Sequence, residues 1–154
     1  MRRIGPLLGV LASALIVVGG AQAVAGSGDD HGCVEVHAVG IGQDLGDGQT
    51  SATISRGGRL NGTTAGAFEI TGGTAPAFTI AGTVMFTTNG GTLTATVSGT
   101  FNVATGEFTA SGPVSAGTGN LAGTTGVLTL AGMENLATGA FTETISGTLC
   151  KEGD

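Results

Sequence analysis

Three observations predict an all-β fold, an eight-stranded antiparallel up-and-down barrel. Apolar and polar residues alternate along most of the chain after residue 32, short Gly- and Asn-rich turns separate the alternating runs, and Cys33 and Cys150 bracket the whole alternating region. Alternation with a period of two is the pattern of strands with one buried face. A single sheet of about eight such strands loses its unpaired edges only by closing on itself. A two-sheet β-sandwich is the alternative that the same strands and turns allow.

Composition agrees with one such domain. The chain has 154 residues, 31 of them Gly, with no Trp or Tyr and only 10% charged residues. A hydrophobic content of 40% arranged in regular alternation separates it from low-complexity disorder.

Residues 1–25 read as a signal peptide. Arg2 and Arg3 form a basic start, an apolar run follows from Ile4 to Gly20, and small-x-small sites stand at Ala21-Gln22-Ala23 and Ala23-Val24-Ala25. Gly19, Gly20 and the small-residue exit argue against an uncleaved anchor, and no lipobox precedes Cys33. The chain is thus expected to be exported, as a secreted, periplasmic or cell-surface protein without stable membrane insertion after cleavage. Residues 26–32 form a polar tail, 33–150 the barrel domain and 151–154 a C-terminal tail.

Loss of Arg2 and Arg3 leaves Arg56, Arg59 and Lys151 against eleven acids, a formal charge of −8. Nucleic acid is excluded as a partner, since phosphate contacts need clustered cations. Anionic membrane surfaces are disfavoured for the same reason. In an exported chain the two cysteines read as a disulfide. Pairing demands Cα atoms within about 7 Å, so the first and last strands become neighbours.

The elements follow in order. From Cys33 to Val39, Val34, Val36 and Ala38 share one face, and Cys33, Glu35, His37 and Val39 the other. Residues 40–49 read as a Gly/Asp loop, and Thr50 to Ser55 as a short second strand. Gly57-Gly58 turns the chain into a third strand from Arg59 to Thr71, whose Gly62 and Gly66 mark bends. Gly72-Gly73 ends it.

Ala77 to Thr87 aligns Phe78, Ile80, Gly82, Val84 and Phe86. Asn89-Gly90 signals a two-residue hairpin of type I′, with positive φ at both positions. The next run alternates most regularly: Leu93, Ala95, Val97, Gly99 and Phe101 oppose Thr92, Thr94, Thr96, Ser98 and Thr100.

Asn102-Val103-Ala104-Thr105-Gly106 turns into a strand carrying Phe108, Ala110, Gly112, Val114 and Ala116, in which Pro113 marks a weakly paired position. Val127 to Met133 is the seventh strand. Asn135-Leu136-Ala137-Thr138-Gly139 repeats the Asn102 turn before a final strand with Phe141, Ile145, Gly147 and Leu149 in phase.

The segment GTGNLAGTTG at residues 117–126 interrupts the alternation with a cluster of glycines. No Lys-Ser/Thr and no helix pattern follow, so it is a bent connection between strands rather than a phosphate loop. With GEFTASG before it and VLTL after it, this segment resembles the GGTG-x-F-x-G-A-x-G region of the allene oxide cyclase and dirigent barrel family. The resemblance covers roughly Leu93 to Cys150, with Asn120 where a basic residue is usual and Leu121 where an aromatic is usual. It implies a calycin-type, lipocalin-like barrel that binds a small apolar molecule. In the plant members it further implies guidance of a cyclisation or radical coupling without a redox cofactor. No catalytic acid of the plant enzymes matches a position here, and no cofactor is expected.

Phe68, Phe78, Phe86, Phe101, Phe108 and Phe141 are expected to line or fill the interior, with Phe78, Phe86, Phe101, Phe108 and Phe141 as ligand contacts. Glu143 is in phase with Phe141 and Ile145, which points a carboxylate inward and makes it the candidate general acid or base. Solvation at the barrel mouth, or pairing with Arg56 or Arg59, is the alternative.

Cys33, Glu35 and His37, with His31, match no metal-site spacing. Asp44 and Asp47 fall short of a calcium loop. No metal is expected, and no nucleophile elbow or Ser-His-Asp set is present.

The expected function is therefore binding of a small apolar ligand in the lumen, with cofactor-free isomerase or cyclase activity as its extension. The alternative is a non-catalytic structural or surface-interaction protein using the outward Thr92, Thr94, Thr96 and Thr100 row. Burial of that face in a homo-oligomer would favour the family reading instead.

Overall fold

The structure, a computed structural model, describes residues 32–152. The expected signal peptide and most of the polar tail, His31 included, lie outside the described residues. Eight strands form a closed antiparallel meander: β1 (Cys33–Gly46), β2 (Gln49–Ser55), β3 (Gly62–Thr74), β4 (Ala77–Thr88), β5 (Gly91–Asn102), β6 (Glu107–Gly117), β7 (Thr124–Glu134) and β8 (Ala140–Lys151). Each strand pairs with its sequence neighbours, and β1 pairs with β8 to close the barrel. Among the described residues no helix is long and apolar enough to cross a membrane.

Closure is locked at the seam. Cys33 and Cys150 stand directly opposite each other in the β1–β8 register and are joined by a disulfide with an S–S distance of 2.09 Å. The pairing expected from two cysteines at the ends of the domain is present.

Alternation sets the inside and the outside. Leu93, Ala95 and Val97 of β5 are buried, as are Ile145 and Leu149 of β8 and Leu128 and Leu130 of β7. The intervening Thr and Ser side chains face outward and tie neighbouring strands together, as in the Thr96–Ser115 and Thr129–Ser111 hydroxyl pairs.

The two ends of the barrel differ. At one end the β2–β3 and β6–β7 connections each contain a 3-10 turn, Gly58–Leu60 and Gly119–Leu121. Each turn drives one leucine into the lumen: Leu60 is fully buried and Leu121 nearly so. Gly58 and Gly119 both adopt φ +60, a left-handed conformation that L side chains resist. The segment at 117–126 is thus a plug as well as a connection. It is pinned by Asn120 N–H donating to the Gly90 carbonyl (2.7 Å) and by Lys151 Nζ donating to the Asn120 carbonyl (2.9 Å).

At the other end stand the β1–β2, β3–β4, β5–β6 and β7–β8 turns. The repeated Asn102 and Asn135 turns have the same construction. Each Asn side chain accepts from two backbone amides ahead of it, and each turn closes on a positive-φ glycine, Gly106 or Gly139.

Several boundaries differ from the sequence expectation. Residues 40–46 are not a loop but the second half of β1, because Gly40 and Gly42 lie beneath inward side chains of β8 where no Cβ would fit. Arg59 belongs to the first plug rather than to β3, and β3 runs on past Gly72-Gly73 to Thr74. The hairpin between Thr88 and Gly91 is present. Neither Asn89 nor Gly90 has positive φ, however, so it is not type I′; the Thr88 hydroxyl stabilises it instead. Val34 keeps the phase of Val36 but sits beyond the plugged rim and is exposed. Pro113 pairs with Val127 of β7, while the β5 ladder skips it, as the missing amide requires.

Candidate functional site

The plug residues and the large side chains nearest them fill one half of the lumen. Leu60, Phe86, Leu93, Leu128 and Ile145 are fully buried there. The other half is hollow. A cavity of about 430 Å³ opens between the turns of the unplugged end, and its wall is mostly apolar: Phe68, Ile80, Phe101, Phe108, Leu130 and Phe141. This volume lies in the range of small-ligand pockets.

Glycines shape the wall. A Cβ on Gly42 would stand 2.4 Å from the ring tip of Phe141, and one on Gly132 would stand 2.7 Å from that of Phe108. The tips of both rings therefore sit over bare backbone, and the two rings meet edge to face, with centroids 5.8 Å apart. Such a pair adds about 1 kcal/mol beyond its buried area and holds this side of the cavity in one shape.

Of the aromatic residues expected to contact a ligand, Phe101, Phe108 and Phe141 line the cavity, joined by Phe68. Phe86 does not: it points to the plugged half and is completely enclosed by packing. Phe78 is half-buried near the open end and does not line the cavity.

Glu143 points inward, as its phase predicts, and lines the cavity with 7% of its surface exposed. Its cross-strand partners on both sides are glycines, Gly40 on β1 and Gly132 on β7. The carboxylate lies over Gly40, whose Cβ would come within 2.8 Å of Glu143 Cγ and Oε1. No hydrogen bond or ion pair reaches it from the described residues. Arg56 and Arg59, its proposed partners, are exposed in the β2–β3 connection at the opposite end. Burial alone pushes its carboxyl from an ordinary 4.5 to about 7.

The remaining charged groups on the wall are also acids. Asp44, at the end of β1, and Glu134, at the end of β7, meet near the mouth, and Glu69 lies on β3. Glu134 is held above the usual carboxylate range by burial first, then by the charge of Asp44 and a hydrogen bond with it. Asp44 Oδ1 also accepts from the Gly46 amide at 2.8 Å, which fixes its direction.

The other sequence candidates do not converge. Cys33 is consumed by the disulfide, and Glu35 accepts a hydrogen bond from Thr148 Oγ1. Among the described residues no three His, Cys, Asp or Glu side chains gather around one point.

The outward Thr row has company. In the β4–β5 register Thr87 faces Thr92, Thr83 faces Thr96 and Thr79 faces Thr100, and Thr100 also faces Thr109 of β6.

Sequence reasoning missed the acidic mouth. Asp44 and Glu134 are 90 positions apart in the chain and come together only through closure. It also missed the plugs, although the signal was present: G-x-L-x-G-T-T occurs at both 58–64 and 119–125. Compared with protein-family models, curated proteins and solved structures, the chain finds no match.

Proposed function

We propose that this chain is an exported binding barrel of the calycin type that holds one small, largely apolar molecule in its lumen. The observation that carries the reading is the asymmetry of the interior. Two purpose-built leucine plugs seal one end, and an aromatic-walled cavity of about 430 Å³ opens at the other. A barrel stabilised by packing alone has no need to leave half its core hollow, since unfilled volume costs stability. The basic and apolar start of the chain, together with the disulfide, supports export.

The test is saturable binding of the neutral fluorophore N-phenyl-1-naphthylamine, repeated with Ala110→Trp. Ala110 is buried on the cavity wall, and an indole there occupies the space. One-to-one binding lost in the filled variant supports the reading; no saturable binding, or binding unchanged by the indole, refutes it.

Isomerase or cyclase activity is the extension of the same site. A carboxyl with a pKa near neutrality can both accept and donate a proton, and Glu143 is the group that would do so. An enolisable guest such as 2-undecanone should then exchange its α-protons with D2O faster in the native protein than in Glu143→Gln, as followed by NMR.

The Thr rows on three adjacent strands favour a second reading, a surface that binds a polymer, ice or another copy of the chain. Replacing Thr83, Thr96 and Thr100 by Lys would abolish that interaction and leave fluorophore binding intact.

A further inference from the structure

Resting on the lumen-binding reading, the geometry points to a specific ligand class: an amphiphilic amine, with an apolar body against the phenylalanines and one cationic nitrogen paired with Glu143.

Three independent features lead there. The first is the buried carboxylate itself. Glu143 is more than nine-tenths buried, lines the cavity and has no partner among the described residues. Gly40 lets the carboxylate lie against bare backbone, and the cavity that it lines gives a guest access to it. A carboxylate offers only acceptor positions, so its complement is an N–H or O–H donor, and a charged donor forms the stronger bond.

The second feature is the sign of the whole site. Every charged residue on the wall is acidic, namely Asp44, Glu69, Glu134 and Glu143. Asp47 and Glu107 add further negative charge at the same end. The described Lys and Arg residues all lie at the plugged end: Arg56 and Arg59 in the β2–β3 connection, and Lys151 against the Asn120 plug. The barrel is thus polarised along its axis. A cleft lined by one sign of charge concentrates the opposite charge at its mouth. Apolar carboxylates are repelled at the mouth and again at Glu143.

The third feature is the wall. Phe68, Phe101, Phe108 and Phe141 line the same cavity as the carboxylate. Aromatic faces attract cations, the more so when desolvated, and still accept an alkyl or aryl body. A guest without a donor would exploit the rings and leave Glu143 unpaired in an apolar pocket, which costs free energy; a neutral O–H would form only the weaker bond.

The test displaces N-phenyl-1-naphthylamine at pH 8 with three guests of matched chain length: decylammonium, 1-decanol and decanoate. A hydrogen bond to a charged group predicts that decylammonium competes about tenfold or more tightly than 1-decanol, with decanoate weakest. In Glu143→Gln, a neutral near-isostere, the amine-to-alcohol ratio should fall to about one. It should persist in Glu152→Gln, which removes a charge at the opposite end. An alcohol that competes as well as the amine in the native protein overturns the amine assignment while leaving lumen binding intact. A ratio that survives Glu143→Gln overturns the role of Glu143. If the fluorophore itself does not bind, the lumen reading fails and the amine assignment fails with it.

Discussion

Replacing Glu143 by Gln should make the protein more stable at alkaline pH and change it little in acid. A carboxyl whose pKa is about 7 in the folded barrel and 4.5 elsewhere keeps its proton longer when folded. Between those values the native state binds more protons than the unfolded chain, so stability falls as pH rises through the window. Below about pH 4.5 both states are protonated and the penalty vanishes; above about pH 7 it is fully present. That difference, at about 1.4 kcal/mol per pH unit, places the penalty at about 3.5 kcal/mol. Gln keeps the shape and cannot ionise. In a domain of this size that corresponds to a melting temperature raised by about 10 °C at pH 8 and by little at pH 4. Circular dichroism melts of both proteins across that range would measure it. Parallel curves, or a variant less stable than the native protein at pH 8, would refute the claim that Glu143 is buried without a partner.

Leu60→Ala or Leu121→Ala should each cost about 2–5 kcal/mol, because each leaves a void at the plugged end; urea unfolding would measure the loss. Gly40→Ala sets a methyl 2.8 Å from the Glu143 carboxylate. It should destabilise by about 1–3 kcal/mol and weaken amine competition more than alcohol competition. The double replacement Cys33→Ser and Cys150→Ser releases a linkage spanning 117 residues, which on the chain-entropy model costs about 4–5 kcal/mol and is readable as a lower melting temperature. Glu134→Gln relieves the crowding with Asp44 and should flatten part of the remaining pH dependence, in the same direction as Glu143→Gln.

Much of the barrel was legible in sequence because its code is local. Period-two alternation states which residues face inward, and it held through β4, β5 and β8, including the orientation of Glu143. Two cysteines at the ends of the domain correctly demanded that β1 and β8 be neighbours. What failed was the reading of glycine. Gly40 and Gly42 looked like loop residues, yet they extend β1, since a strand opposite Glu143 and Phe141 must present bare backbone. Asn89-Gly90 carried the signature of one turn type and adopted another, because the Thr88 hydroxyl and the neighbouring plug decide its hydrogen bonding.

By itself the sequence determined the strands, their inward faces, the disulfide and one inward carboxylate, because each depends on neighbours one or two residues away or on a single covalent pair. Only the tertiary structure decided which end of the lumen is filled. Phe86 and Phe101 have the same residue type and the same phase on adjoining strands; one is packed beneath the leucine plugs and the other walls an open cavity. That difference arises from their height along the barrel axis, which the registers of eight strands set together. The same closure brings Asp44 to Glu134 and leaves Arg56, Arg59 and Lys151 at the far end, making the mouth acidic through an arrangement that no local pattern encodes.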